Sequence, residues 1–194
     1  MTKRVIGVMG ASESDALTDA EKARLKQLAE KLGSAIAKHD CILISGATTG
    51  LPDLISRSAR EHGGFAVGIS PAENRREHIE GYKMPPDAAD VIIYTGFGLK
   101  GRNVVNVRSA DIVIIFGGAT GTLNEFTIAY DEGKVIGVLE GSGGCADHIR
   151  EIIEFCKKPT RAIVLFDSDP EKLIEDCLKC FKQMNDRQIN GGNR

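Results

Sequence analysis

No stretch of this chain stays apolar for the roughly 18 residues that a membrane-crossing helix needs, and no membrane partner is expected. Met1-Thr2-Lys3-Arg4 leads straight into a strand pattern without the apolar core of a signal peptide, so a cytoplasmic protein is the expectation. An excess of one charge is also missing. Lys and Arg number 25 against 27 Asp and Glu, which offers no basic footprint for DNA or RNA, and no nucleic-acid partner is expected. The two common nucleotide signatures are absent too. There is no GxxxxGK[ST], which disfavours a P-loop NTPase. The first strand is followed by Gly10-Ala11-Ser12-Glu13 rather than GxGxxG, and no acidic residue ends a second strand where a ribose would need it, which disfavours a dinucleotide dehydrogenase. A mononucleotide or sugar-phosphate site remains.

Metal ligands are sparse. His39, His62, His78 and His148 are scattered, and the one CxxC, Cys177-Leu178-Lys179-Cys180, has neither a second CxxC nor a nearby histidine to complete a tetrahedral set. The two cysteines read as core-facing positions of a late helix, and no metal is expected. His78 stands with Arg75 and Arg76 in a proline-containing stretch over 71–88, which reads as a long, solvated connecting loop.

What the chain does contain is an alternation of strands and helices. Apolar, β-branched runs at 4–9, 41–44, 65–69, 91–94, 112–116, 135–139 and 162–166 read as buried strands. Thr18 with Glu21 makes a capping box before Leu25, Leu28, Leu32 and Ile36 at helical spacing. Further helices are expected over about 51–62, from the turn after 116 to Gly133, over 146–157 and over 170–184. Such alternation means right-handed βαβ units. The expected fold is a single α/β, Rossmann-like, doubly wound and mostly parallel sheet of about seven strands over residues 1–184, with helices on both faces. A hydrophobic content of 42% is enough to bury one such core. The polar end, 185–194, is expected to be a flexible tail.

Ligands on such sheets bind beyond the carboxyl ends of strands, and three Gly/Ser/Thr-rich turns fall there: 10–15, 45–50 and 117–122. The third, Gly117-Gly118-Ala119-Thr120-Gly121-Thr122-Leu123-Asn124-Glu125, lies between a buried strand and a helix N-terminus. Glycines allow close backbone approach, and unpaired N–H groups at the positive helix end attract phosphate. From the three turns, Gly10, Ser12, Ser45, Gly46, Thr49, Gly50, Gly118, Thr120, Gly121 and Thr122 are the candidate ligand-binding residues. Glu125, about one turn into the helix, puts a carboxylate beside an anion site. It reads either as a catalytic group or as a first-turn glutamate complementing the helix dipole.

These residues resemble a family. The segment from Arg102 to Glu125, with Val107-Arg108-Ser109-Ala110-Asp111 inside it, is similar to the Lonely Guy-type (LOG) nucleoside 5′-monophosphate phosphoribohydrolases. These are also described as possible lysine decarboxylases and belong to a Rossmann-like superfamily that includes DNA-processing-protein relatives. The family carries an Arg before the strand and PGGxGTxxE after it. Here PGG reads Gly117-Gly118-Ala119, Arg-Lys reads Arg102-Asn103, and Gly-Leu-Met-Gly of the second turn reads Gly50-Leu51-Pro52-Asp53. The Arg-Asn form looks more like a less characterised bacterial and archaeal branch.

The resemblance implies hydrolysis of an N-glycosidic bond in an AMP-like nucleotide, giving free base and ribose 5-phosphate, in a homodimer. It makes Arg102 and Glu125 the catalytic candidates and Asn103 a further binding residue. Breaking that bond puts positive charge on the ribose, which a carboxylate stabilises. Without the resemblance, Arg102 reads as a solvated arginine in Lys100-Gly101-Arg102. A lysine decarboxylase in the literal sense would need pyridoxal phosphate on a Schiff-base lysine. Lys100 and Lys134 offer no context for one, and no cofactor is expected. The alternative is a nucleotide-binding sensor or carrier without turnover.

Overall fold

The computed structural model describes residues 2–12 and 18–191; Glu13, Ser14 and Asp15 of the first expected turn lie outside the described residues. Seven strands form one sheet: β1 (Val5–Gly10), β2 (Ile42–Ser45), β3 (Phe65–Ser70), β4 (Val91–Tyr94), β5 (Ile112–Phe116), β6 (Val135–Leu139) and β7 (Ile163–Asp167). Their order is β4-β3-β2-β1-β5-β6-β7, and every pair is parallel. The helices are α1 (Asp19–Lys38), α2 (Leu51–Glu61), α3 (Gly98–Arg108), α4 (Thr120–Asp131), α5 (Ile149–Cys156) and α6 (Pro170–Gly191).

Successive side chains of a strand point to opposite faces, and β5 shows the consequence. Ile112, Ile114 and Phe116 pack with Leu32 and Ile36 of α1, Ile55 of α2 and Leu173 of α6. Val113 and Ile115 pack on the other side with Val107 of α3, Phe126 of α4 and Ile149 of α5. All five residues of β5 are fully buried, which is why its sequence is continuously apolar rather than alternating. Each such side chain contributes about 1.5–3 kcal/mol by leaving water.

Helix starts follow the expected chemistry where the chain supplies a cap. Thr18 accepts from the Glu21 amide while Glu21 accepts from the Thr18 amide, closing the capping box of α1. Asp169 accepts from the amides of Glu171 and Lys172 and caps α6. Helix α6 continues past the expected end at 184 to Gly191, because no glycine or proline interrupts 171–190.

One element is added to the sequence reading, and one expectation is corrected. Helix α3 fills a segment that carried no helical periodicity, since its buried face holds Arg102, Asn103 and Asn106 as well as Val107. And His78 is not solvated: it is fully buried in a π-helical turn, Glu77–Gly81. Its Nε2 faces the Pro85 carbonyl at 3.0 Å and must donate, which leaves Nδ1 to accept from Ser70 Oγ at 2.9 Å. The histidine thereby pins the 71–88 segment to the end of β3.

Helices α1 and α2 pack closely at Gly33, where a Cβ would lie 2.5 Å from the Ile55 carbonyl oxygen and 2.7 Å from Ser58 Cβ. Replacing a mid-helix glycine by alanine ordinarily stabilises by about 1 kcal/mol. Here Gly33→Ala is expected to destabilise by about 1–3 kcal/mol through overpacking, read from the urea midpoint. An unchanged or raised midpoint would mean that the two helices separate freely.

Candidate functional site

The chain adds β2, β3 and β4 outward from β1, then crosses back through α3 to place β5 on β1's other side. The connections after β1 and β5 therefore leave in opposite directions, and the carboxyl ends of these two strands open into a crevice. A cavity of about 430 Å³ lies there, lined by Met9 and Gly10 of β1, Ser12 beyond it, Gly46 and Thr48 after β2, and residues of α2, α3 and α4. That size suits a small-molecule ligand.

The three helices that reach this cavity, α2, α3 and α4, all lack a side-chain N-cap, as does α5, whereas α1 and α6 have one. The Leu51 amide that opens α2 donates to the Ala11 carbonyl at 3.0 Å and the Gly98 amide that opens α3 to the Pro71 carbonyl at 3.1 Å, whereas the Thr120, Gly121 and Thr122 amides of α4 have no acceptor among the described residues. At α4 the lead-in turn is set by Gly117 (φ +60°) and Gly118 (φ +89°). A side chain at 118 would also collide with Thr122. The turn is braced from beneath: Ser142 Oγ accepts from the Gly117 amide at 2.9 Å, and the Cys145 amide donates to the Gly118 carbonyl at 2.8 Å.

Below the amides lies a buried polar cluster. Arg102 Nη1 stands 3.7 Å from Glu125 Oε1, with side chains 9% and 7% exposed. Asn106 Nδ2 donates to the same oxygen at 3.2 Å. Turned so that its oxygen no longer faces only acceptors, the Asn103 amide donates to Glu125 Oε1 at 3.3 Å and to the Leu99 carbonyl at 2.9 Å. The Arg102 guanidinium packs against the backbone of Gly46, where any Cβ would strike Nη1. Burial pushes the Glu125 carboxyl above its ordinary value, and Arg102 and Asn106 oppose that shift. Burial pulls Arg102 down while Glu125 opposes it; a guanidinium nonetheless stays charged at any ordinary pH.

The structure gathers Arg102, Glu125, Gly10, Ser12, Gly46, Asn103, Gly121 and Thr122 around this one cavity. Ser45, Thr49, Gly50, Gly118 and Thr120 do not line it. Ser45 is buried against Ser56, Oγ to Oγ 3.3 Å. Gly50 (φ +78°) is the N-cap residue of α2, Gly118 shapes the turn, and Thr120 is exposed. Thr48 lines the cavity in place of Thr49. Lys100 and Asn106 line it as well, and sequence reasoning passed over them because α3 itself went unrecognised. Glu125 is no surface glutamate and Arg102 no solvated arginine: both are buried. Among the described residues no three His, Cys, Asp or Glu side chains cluster for a metal. Cys177 is core, its thiol pushed up to about 12 by burial. No helix among the described residues is long and apolar enough to cross a membrane.

The model of the SLOG cluster4 family matches residues 3–174. An uncharacterized protein of Archaeoglobus fulgidus is 34% identical over 135 residues, covering 70% of this chain and 79% of that one. The X-ray structure of TM1055, a structural genomics target, superposes with a TM-score of 0.77 at 27% identity, covering 92% of this chain and 99% of that one. The molybdenum cofactor binding protein of the phototrophic bacterium Rippkaea orientalis gives 0.72 at 29% identity, covering 95% and 98%. One expectation falls here. DNA processing protein A of Helicobacter pylori, described with a single-stranded DNA binding mode, shares the fold with a TM-score of 0.56 at 19% identity over 92% of this chain and 81% of that one. A near-neutral net charge therefore does not exclude nucleic acid for this fold, because a total says nothing about how charge is distributed over the surface.

The raised Glu125 pKa has a definite stability signature. Below the unfolded-state value, about 4.3, both states are protonated and the stability is complete. As pH rises, the unfolded chain ionises first, and stability is lost until the folded pKa is passed. Glu125→Gln removes that titration, while the stranded charge of Arg102 adds a cost that does not vary with pH. The stability of the variant relative to wild type should shift in the variant's favour between pH 4 and 8, read from urea midpoints. A flat difference, or one of opposite sign, would show that Arg102 and the two amides fully offset the burial.

Proposed function

The chain belongs to the SLOG cluster4 family, and on that premise we propose that its cavity binds a nucleoside 5′-monophosphate and hydrolyses the N-glycosidic bond. The observation that carries this reading is the placement of a buried carboxylate, Glu125, in the same cavity as the uncapped N-terminus of its own helix. A phosphate on the first-turn amides and a ribose alongside would bring the anomeric carbon toward Glu125.

As the bond between C1′ and the base nitrogen breaks, positive charge develops on the ribose ring, and the ionised carboxylate stabilises it. As the bond to the base nitrogen breaks, a water attacks C1′ and gives a proton to Glu125, which passes it on to the departing base. Arg102, Asn106 and Asn103 hold Glu125 in one orientation. The charge of Arg102 favours the ionised form that the reaction requires. A carboxylate with a raised pKa is also the better base near neutral pH.

A second reading, carriage of a ligand without turnover, is supported by the name of the Rippkaea orientalis protein, a molybdenum cofactor binding protein. A molybdenum cofactor as cargo would occupy the same cavity, and the reading asks nothing further of Glu125.

Incubation with a panel of nucleoside 5′-monophosphates separates the two. Hydrolysis predicts free base and ribose 5-phosphate from the wild type and a loss on the order of 10²–10⁴-fold in kcat for Glu125→Gln. The acidic limb of the rate profile should also lie above the ordinary carboxylate range. Tight binding without base release in either protein would leave the carrier.

A further inference from the structure

Three ionisable side chains line the cavity among the described residues: Lys100, Arg102 and Glu125. The charges of Arg102 and Glu125 offset one another at 3.7 Å. Lys100 is a second cation there, and its charge also favours the ionised Glu125. It is exposed at the cavity mouth, and it enters no hydrogen bond or ion pair among the described residues. Lys22, Lys31 and Lys83 also lack such a partner among the described residues, so what sets Lys100 apart is its place at the cavity.

Its position is electrostatically poor without a ligand. Lys100 belongs to the first turn of α3, and its Nζ lies 3.9 Å from where a Cβ on Gly121 would sit, over the first turn of α4. A cation is disfavoured at a helix N-terminus, and here it faces two, both uncapped. A second observation points the same way. Arg102, more than nine-tenths buried in the same cavity, leaves its Nε without a partner. The cavity thus holds two cations against one carboxylate, beside two positive helix ends and a guanidinium whose buried Nε is unpaired.

We propose that Lys100 selects phosphorylated ligands, holding a phosphate monoester dianion between its ammonium group and the first-turn amides of α4 at Gly121 and Thr122. This rests on the nucleotide reading above and deepens it. The backbone amides supply a geometry that any small anion could use. The ammonium supplies the charge that separates a dianionic monoester from an unphosphorylated nucleoside. Lys100 is in this sense a specificity residue, and Glu125 keeps its separate role at the ribose.

The test is calorimetric titration of the full chain, wild type, Lys100→Ala and Lys100→Arg, with AMP, adenosine and inorganic phosphate. Because Lys100 is exposed, both variants should melt with the wild type. Lys100→Ala should weaken AMP and inorganic phosphate by about tenfold or more and leave adenosine unchanged, with Lys100→Arg recovering most of the loss. Unchanged AMP affinity in Lys100→Ala would overturn the inference while leaving the nucleotide reading in place, and so would an equal loss for AMP and adenosine. Lys100-dependent binding of inorganic phosphate with no binding of AMP would uphold the inference and overturn the nucleotide reading. Binding of neither AMP nor phosphate to the wild type would overturn both.

Discussion

Keeping the carboxylate of Glu125 out of water is the constraint around which the ligand-facing half of the molecule is arranged. A lone buried charge is expensive, and it becomes tolerable only when paired and hydrogen-bonded. The partners come from one element, α3, which brings Arg102, Asn103 and Asn106 to the same oxygen. Helix α3 must therefore lie against α4, and it can do so only because the crossover from β4 back to β5 carries it across the face of the sheet. Gly46, from a different βα unit, is required in turn because the guanidinium occupies the space that its side chain would need. Three separate segments of the chain thus answer to one buried charge.

Side-chain caps occur on the two longest helices and on none that reaches the cavity. Helices α1 and α6 satisfy their own first-turn amides with Thr18 and Asp169. Helices α2, α3 and α4, which converge on the cavity, do not. An uncapped N-terminus is a small liability for folding and a ready donor set for an anion. The brace under the Gly117–Gly118 turn, from Ser142 and Cys145, keeps those amides in place without obstructing them.

Membership of the SLOG cluster4 family and the likeness to TM1055 account for the sheet and its order, but one fold hosts many activities. Structures that share this architecture are named for a molybdenum cofactor and for single-stranded DNA. What distinguishes this chain has to be sought in particular side chains, and Lys100 and the Arg102–Glu125 pair are where its electrostatics are least ordinary.

Much of this could be read in the sequence. Continuous β-branched runs have no stable place except inside a parallel sheet, the Thr18–Glu21 capping box is purely local, and glycines after strands mark the ligand end of such a fold. Arg102, Glu125, Gly121 and Thr122 were visible through spacing and family resemblance. Helix α3 was not, because it buries polar residues and so erases the apolar periodicity that reveals a helix. Asn106 and Lys100 were hidden with it, and Thr48 was indistinguishable from Thr49 without knowing which way the turn faces. The burial of His78 likewise depends on Ser70 and Pro85, which a local pattern cannot bring together. The sequence by itself determined the strands and the amphipathic helices, whose hydrogen bonds and apolar periods are local. Only the tertiary structure decided which polar groups lose water together, because desolvation depends on segments that meet in space.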